Sequence, residues 1–188
     1  MRLALLILLA ACANTLPDAP PNPAARPGAM LSGVLCGDAV LTGPGGAALD
    51  RMVVTSRGRA SGDSLVLDQT IRRADGTVAR RRWVVEPDGP DTYRGTLTGD
   101  EGVAASGAVR VRVAGDALRI RYPVAGVPLA RMEQFLTLRP DGAIANVGTV
   151  RVLGVPVRRL TEVITPQPGM DLSAERPCSV MATEETAP

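Results

Sequence analysis

Two neighbouring stretches decide the fold, Val109-Arg110-Val111-Arg112-Val113 and Leu118-Arg119-Ile120-Arg121-Tyr122. Apolar and charged residues alternate in both. A strand conformation therefore places the apolar side chains on one face and four arginines on the other. The segment between the two stretches contains Gly115-Asp116, a pair typical of tight turns. The pattern predicts an antiparallel hairpin with one buried face and one solvated face.

Strand patterns of this kind recur along the chain. Eight further stretches are predicted as strands: 33–41, 49–59, 64–73, 77–86, 92–98, 132–139, 143–152 and 155–164. Short turn sequences separate them, and an Asp-Gly pair is a strong hairpin signal. Many short strands with short turns favour an all-β fold in which an antiparallel meander closes into a barrel of about 8–10 strands, because closure removes the open edges.

The composition excludes several classes of protein. The chain has no histidine, which removes the commonest general base and the commonest metal ligand. All 21 basic residues are arginine, against 19 acidic residues, so no strongly basic face for nucleic acid is expected. No catalytic motif, cofactor motif or metal-ligand cluster is present. The sequence therefore predicts neither an enzyme nor a cofactor or metal site.

The N-terminus has the pattern of a lipoprotein signal. Arg2 precedes an apolar run over 3–9, and Leu9-Ala10-Ala11-Cys12 resembles a bacterial lipobox. Residues 1–11 are predicted to be the signal peptide and Cys12 the lipidated residue, which would tether the protein to a membrane. Ala13 follows the cysteine in place of an aspartate, so in a Gram-negative host we expect an outer-membrane anchor with the protein facing the periplasm.

The remaining chain divides into three segments. Residues 12–30, rich in Pro and Ala, are predicted to be a semi-extended tether, residues 31–165 the barrel, and residues 166–188 a flexible tail. Cys36 and Cys178 remain once Cys12 is assigned to lipid. In an oxidising compartment they form a disulfide between the first strand and the tail, or they stay as two unpaired thiols.

A candidate pocket follows the turn at Asp75-Gly76. Arg81 and Trp83 lie two residues apart on the next strand, hence on one face, where a guanidinium can stack on the indole. The pair either seals one end of the barrel or forms the floor of a pocket. The candidate pocket also includes Tyr93, Tyr122 and Asn146, although a buried asparagine bonded to backbone is the simpler interpretation of Asn146.

A second candidate site is the charged face of the central hairpin, formed by Arg110, Arg112, Arg119 and Arg121. Like charges across a hairpin repel each other slightly, so something must offset them. The face is either a solvated outer wall or a patch that attracts the anionic headgroups of lipids or lipopolysaccharide.

The order of several residues resembles the DUF3833 family of bacterial lipoproteins of unknown function. The resemblance covers residues 33–165 and is carried by Asp75-Gly76, Arg81, Trp83, Tyr93, Gly95, Asp100, Gly102, Gly107, Tyr122, Asn146 and Gly154-Val155. It implies an envelope lipoprotein with a lipocalin/calycin-like β-barrel. It supplies no catalytic residues.

Two functions compete at this point, and a third, an enzyme that works through carboxylate, tyrosine or arginine groups, has no motif to support it. The first is a small barrel that binds a lipid or another apolar ligand at the membrane surface, and it requires a continuous apolar cavity. The second is a structural or interaction lipoprotein, with a filled barrel that contacts envelope partners. The protein partner is unknown in both cases.

Overall fold

The structure is a computed structural model that describes residues 15–100, 105–124, 126–172 and 178. Its ten strands are β1 (Gly33–Thr42), β2 (Ala48–Ser61), β3 (Ser64–Arg73), β4 (Val78–Pro87), β5 (Thr92–Gly99), β6 (Ala105–Ala114), β7 (Ala117–Pro123), β8 (Ala130–Leu138), β9 (Ile144–Val152) and β10 (Val155–Pro166). The predicted all-β barrel is confirmed, and each predicted strand lies within an observed one or differs from it by one residue at an end.

The strands form one closed antiparallel barrel in which each strand pairs with its neighbours in the chain. The seam between β1 and β10 runs from the pair Leu35 and Pro166 to the pair Thr42 and Arg159. Side chains alternate along each strand, as on β3, where Leu65, Leu67, Gln69 and Ile71 point inwards. The core is mainly aliphatic, as the scarcity of aromatic residues requires.

The up-and-down topology gives the barrel two different ends. The connections β2–β3, β4–β5, β6–β7 and β8–β9 lie at one end, together with the segment that precedes β1. We call this the capped end. The connections β1–β2, β3–β4, β5–β6, β7–β8 and β9–β10 lie at the opposite end, which we call the rim.

The segment before β1 differs from the predicted tether. Residues Pro23–Ala25 form a 3-10 turn and Pro27–Met30 a short helix, α1, and both have buried residues. The backbone of Asn22 donates to the Gly115 carbonyl oxygen at 2.8 Å, and the Leu31 carbonyl sits where a side chain at Gly58 would stand. This part of the assigned tether is packed because Ala25 and Met30 bury their side chains against the barrel core.

Cys36 and Cys178 are joined by a disulfide with a Cα–Cα distance of 5.6 Å. The backbone N–H of Cys178 also donates to Oγ1 of Thr55 on β2 at 3.0 Å. Cys178 is thus held against the outside of β1 and β2. Cys12 and the signal residues 1–11 lie outside the described residues. In the described part of the chain no helix has the length and hydropathy needed to span a membrane.

Candidate functional site

A hydrogen-bond network on β2, β3 and β4 occupies the middle of the lumen. Oε1 of Gln69 accepts from Nε of Arg81 and from Nε1 of Trp83, both at 2.7 Å. Nε2 of Gln69 donates to Oγ of Ser56 at 2.8 Å. Strand pairing explains this arrangement, because Gln69 lies directly opposite Arg81 on one side and Ser56 on the other. One buried amide therefore fixes the positions of both candidate pocket residues.

Aromatic contacts complete this side of the lumen. The guanidinium carbon of Arg81 lies 5.5 Å from the centre of the Trp83 ring, within cation–π range. Tyr122 meets the same indole edge-on, with ring centres 5.2 Å apart. Burial raises the pKa of the Tyr122 hydroxyl, which keeps it neutral.

A buried carboxyl group lies on β10, which β1 separates from β2 in the barrel. Glu162 on β10 is 7% exposed, and its Oε2 accepts from Nδ2 of Asn146 at 2.8 Å. Burial raises the pKa of Glu162, and this effect exceeds the opposing effects of Asn146 and Arg81. Gly37 on β1 leaves the space that the carboxyl fills, since an added Cβ would collide with it. Oδ1 of Asn146 has no hydrogen-bond partner among the described residues.

A small cavity separates the two polar groups. Its volume is about 40 Å³, and its polar lining comes from Ser56, Gln69, Arg81, Gln134, Asn146 and Glu162. One water needs roughly 10–15 Å³ of such space, whereas pockets for drug-sized ligands measure about 300–1,000 Å³. The lumen in this state therefore has room for a few waters and not for an acyl chain.

The structure does not bring all five predicted pocket residues to this cavity. Arg81, Trp83 and Asn146 line it. Tyr122 lies behind Trp83. Tyr93 is buried, and its hydroxyl accepts from Nη1 of Arg26 at 3.1 Å, in the segment at the capped end. Tyr93 thus belongs to the closure of that end.

Four polar residues that line the cavity were absent from the sequence prediction: Ser56, Gln69, Gln134 and Glu162. A signal for them existed. Glu162 stands between Leu160 and Ile164 at alternate positions of a predicted strand, which places it on the buried face. Gln69 stands in the same way between Leu67 and Ile71. The strand pattern alone would have found both.

The predicted arginine face forms part of a large surface groove, which we call the arginine groove. Its volume is about 730 Å³. Its charged lining consists of Arg110, Arg112, Arg119, Arg121, Arg131, Arg151, Asp88 and Glu133. Strand register sets these residues side by side, with Arg110 opposite Arg121, Arg112 opposite Arg119, and Arg131 opposite Arg151. The sequence prediction included the β6 and β7 arginines but not those of β8 and β9.

Positive charge in the arginine groove exceeds what its acids neutralise. Nε of Arg121 lies 2.6 Å from Oε1 of Glu133, and Nη1 of Arg110 lies 3.3 Å from Oδ2 of Asp88. Six arginines face these two carboxylates, a difference of four charges. Within the described ranges, Arg112, Arg119 and Arg131 form no salt bridge.

The pKa of Arg119 is lowered, first by burial and then by the neighbouring charge of Arg121. Arg112 adds to that repulsion. An anion bound in the arginine groove would relieve this repulsion, and a bidentate phosphate or carboxylate matches the donor geometry of a guanidinium. No cluster of metal-ligating side chains occurs in the part of the chain that the structure describes.

Fold and site together define a closed ten-stranded antiparallel barrel with a basic groove on its outer wall. Its interior is nearly filled and mainly aliphatic, and it encloses a small group of buried polar residues. The chain belongs to the DUF3833 family, whose members are described as proteins of unknown function, and the family model matches residues 6–165. Among solved structures, the chain is similar to the crystal structure of Rv2717c from M. tuberculosis. The TM-score is 0.57 at 18% identity, over 78% of this chain and 99% of the other. This likeness is one of fold. No curated protein matches the chain.

Proposed function

We propose that this protein is an envelope lipoprotein that binds phosphate-bearing lipid headgroups in the arginine groove. The observation that carries the proposal is the excess of positive charge in a groove of about 730 Å³. A lipid ligand was expected from the sequence in the barrel lumen. The volume of about 40 Å³ favours the outer wall instead. In this proposal the protein binds lipid and does not catalyse a reaction.

The groove suits a phosphate group in charge and in geometry. Arg112 and Arg119 are direct cross-strand neighbours, so two guanidinium groups without salt bridges, as far as the structure describes, reach the same space. Arginine holds phosphate through two parallel hydrogen bonds, which a point charge does not provide. Arg119 is half-buried, which reduces solvent screening of its interaction with an anion.

The lipobox supports the same proposal from the other end of the chain. Cleavage before Cys12 would leave that residue N-terminal and lipidated, which keeps the barrel beside a membrane. In a Gram-negative host this places the protein at the outer membrane, facing the periplasm. An anchored protein meets lipid headgroups at high local concentration, so even a weak headgroup site would be occupied.

Vesicle sedimentation tests the proposal. The protein is the chain from residue 12 with Cys12→Ser, so that no lipid anchor contributes to binding. We expect it to sediment with vesicles that contain phosphatidylglycerol, and the double variant Arg112→Gln/Arg119→Gln to bind at least tenfold more weakly. Arg139→Gln is the matched control, because this exposed arginine pairs with Asp141 at the capped end. Equal binding by the double variant and the control would refute the proposal.

Competition distinguishes the two sources of phosphate. Glycerol phosphate or inorganic phosphate, added at equal ionic strength, displaces the protein from vesicles if the phosphate group is what the groove recognises. Retention on the vesicles indicates that the groove requires a lipid surface.

The nearly filled lumen favours a second candidate function, an interaction lipoprotein that contacts envelope proteins. Cross-linking in intact cells, followed by purification under denaturing conditions, tests it. A single protein captured by the wild type and lost in the double arginine variant would assign the groove to that protein.

A further inference from the structure

Large apolar side chains are exposed at one end of the barrel. Six of the seven described large apolar residues with high exposure lie in or beside connections of the rim: Leu49, Val78, Val127, Leu129, Leu153 and Val155. The connections of the capped end carry five aspartates, Asp63, Asp88, Asp91, Asp116 and Asp141, and those of the rim carry Asp75 and Asp100. The exposed large apolar residues of the described chain are thus concentrated at the rim.

Leu153 occupies a turn position that disfavours leucine. Val152 pairs with Val155, so Leu153 and Gly154 form a two-residue hairpin loop. Both have positive φ, 51° for Leu153 and 84° for Gly154. Such loops favour Asn-Gly, because a leucine side chain crowds the backbone in the left-handed region. Leu153 is nevertheless 75% exposed, so packing within the barrel does not account for it.

Leu129 repeats this arrangement in the neighbouring connection. The N–H of Ala130 donates to the Val127 carbonyl oxygen at 3.1 Å, which makes Pro128 and Leu129 the central residues of a turn. Leu129 has φ 62°, at the turn position where glycine or asparagine is favoured. It is 68% exposed. Two turns therefore hold a solvent-facing leucine in a conformation that costs about 1 kcal/mol or more each.

The two leucines stand side by side. Ala130 pairs with Val152 as the last pair of the β8–β9 ladder, so Leu129 and Leu153 follow it at facing positions. The next pair inwards is Arg131 with Arg151. Apolar tips backed by a row of arginines match the layers of a bilayer whose lipids are anionic, with hydrocarbon beyond phosphate.

We propose that the rim is a membrane-docking surface, in which Leu129 and Leu153 insert into an anionic lipid bilayer while Arg131 and Arg151 contact its phosphates. The proposal rests on the conformation and exposure of the two turns, and it shares Arg131 and Arg151 with the arginine groove of the proposed function. Its occupant is a lipid surface, since the arginine row complements anionic headgroups.

Asparagine substitution separates membrane docking from folding. Leu129→Asn/Leu153→Asn places a residue that tolerates positive φ at both positions, so we expect unchanged or higher thermal stability. Binding to vesicles containing phosphatidylglycerol is expected to fall at least tenfold. Val163→Thr is the control, because Val163 is exposed on the outer wall of β10, away from the rim. If the asparagine variant binds these vesicles as tightly as the wild type does, the proposal is overturned.

Depth-dependent quenching provides a second readout. Val155→Trp places an indole at the rim and Val163→Trp places one on the wall of the same strand, while Trp83 is buried in both proteins. Lipids brominated on their acyl chains should quench the V155W protein and leave V163W near the wild-type value. Equal quenching would contradict docking through the rim.

Two further outcomes separate this proposal from its alternatives. If only headgroup binding in the groove is wrong, the Arg112→Gln/Arg119→Gln protein keeps the rim-dependent quenching. A dimer in sedimentation velocity, abolished by the leucine substitutions without any vesicle binding by the wild type, would assign the rim to a second copy of the chain and overturn the proposal.

Discussion

Asn146 and Glu162 face each other across β9 and β10 inside the barrel, and the amide donates a 2.8 Å hydrogen bond to the carboxyl group. The pair places an ionisable group where water is scarce. Three titratable residues interact electrostatically with the carboxyl group of Glu162: Arg81, Asp38 and Tyr122. Burial dominates among these effects, so the neutral form of Glu162 is favoured in the folded protein.

The pH dependence of stability follows from this burial. Because the folded pKa of Glu162 is raised, its contribution is fully present below the ordinary glutamate pKa and is lost as pH rises through the folded pKa. Glu162→Gln cannot ionise and still accepts from Asn146. We expect the variant to gain stability over the wild type as pH rises from 4 to 8, by about 1.4 kcal/mol for each unit of raised pKa. Urea unfolding at several pH values measures this gain.

Glu86→Gln is the control for that series, because Glu86 is exposed on the outer wall. It controls for the removal of one carboxyl group from the protein. A stability difference between Glu162→Gln and the wild type that stays constant across the pH range would show that the pKa of Glu162 is the same in the folded and unfolded protein.

Gly37→Ala should destabilise the barrel by about 1–3 kcal/mol, since the new methyl group collides with the Glu162 carboxyl in a filled core. The same substitution in a Glu162→Ala background should cost much less, because the colliding group is gone. A double-mutant cycle by chemical unfolding gives the coupling between the two positions. Additive effects would mean that the carboxyl relaxes away freely.

Gln69→Leu should lower the free energy of unfolding by about 1–3 kcal/mol for each buried donor that is left without a partner. Trp83 loses its acceptor in that variant, and Arg81 loses the partner of its Nε. Ser56→Ala removes one hydrogen bond of the same network and is expected to cost about 0.5–1.5 kcal/mol. Denaturant unfolding that ranks the two variants in the opposite order would contradict the central role of Gln69.

Reduction of the disulfide should destabilise the protein by about 2–5 kcal/mol, because the bond closes a loop with a sequence separation of 142 residues. Unfolding with and without a reductant measures the effect, and Cys36→Ser/Cys178→Ser should reproduce it. The reductant should not alter the stability of this double variant, which controls for effects other than reduction of the bond.

Local signals explain why the strands could be predicted. Alternation on β6 and β7 and the Asp-Gly turns depend on residues next to each other in sequence, and they locate strands to within a few residues. The short helix α1 was missed because its Pro-rich composition indicates an extended chain, whereas its burial depends on contacts with β2 and β3.

The candidate sites could be predicted only in part, because they also depend on contacts between residues distant in sequence. The sequence places four arginines on one face of a hairpin, but Arg131 and Arg151 join them only through the register of β8 and β9 with β7. The small cavity volume is the reason for proposing a ligand site on the outer wall instead of in the lumen. This volume depends on how the side chains of all ten strands fill the interior. No pattern within one strand contains that information.

The disulfide also determines what a protease cut in the chain would produce. From Cys36 to Cys178 the polypeptide is a covalent ring that contains nearly the whole barrel. A protease that cuts one hairpin turn opens this ring without dividing the molecule, and the two new ends stay attached to the same ten strands. One cut between Cys36 and Cys178 therefore leaves a single covalently connected molecule whose strand order is that of a circular permutant, and two cuts within the ring are needed to release a fragment.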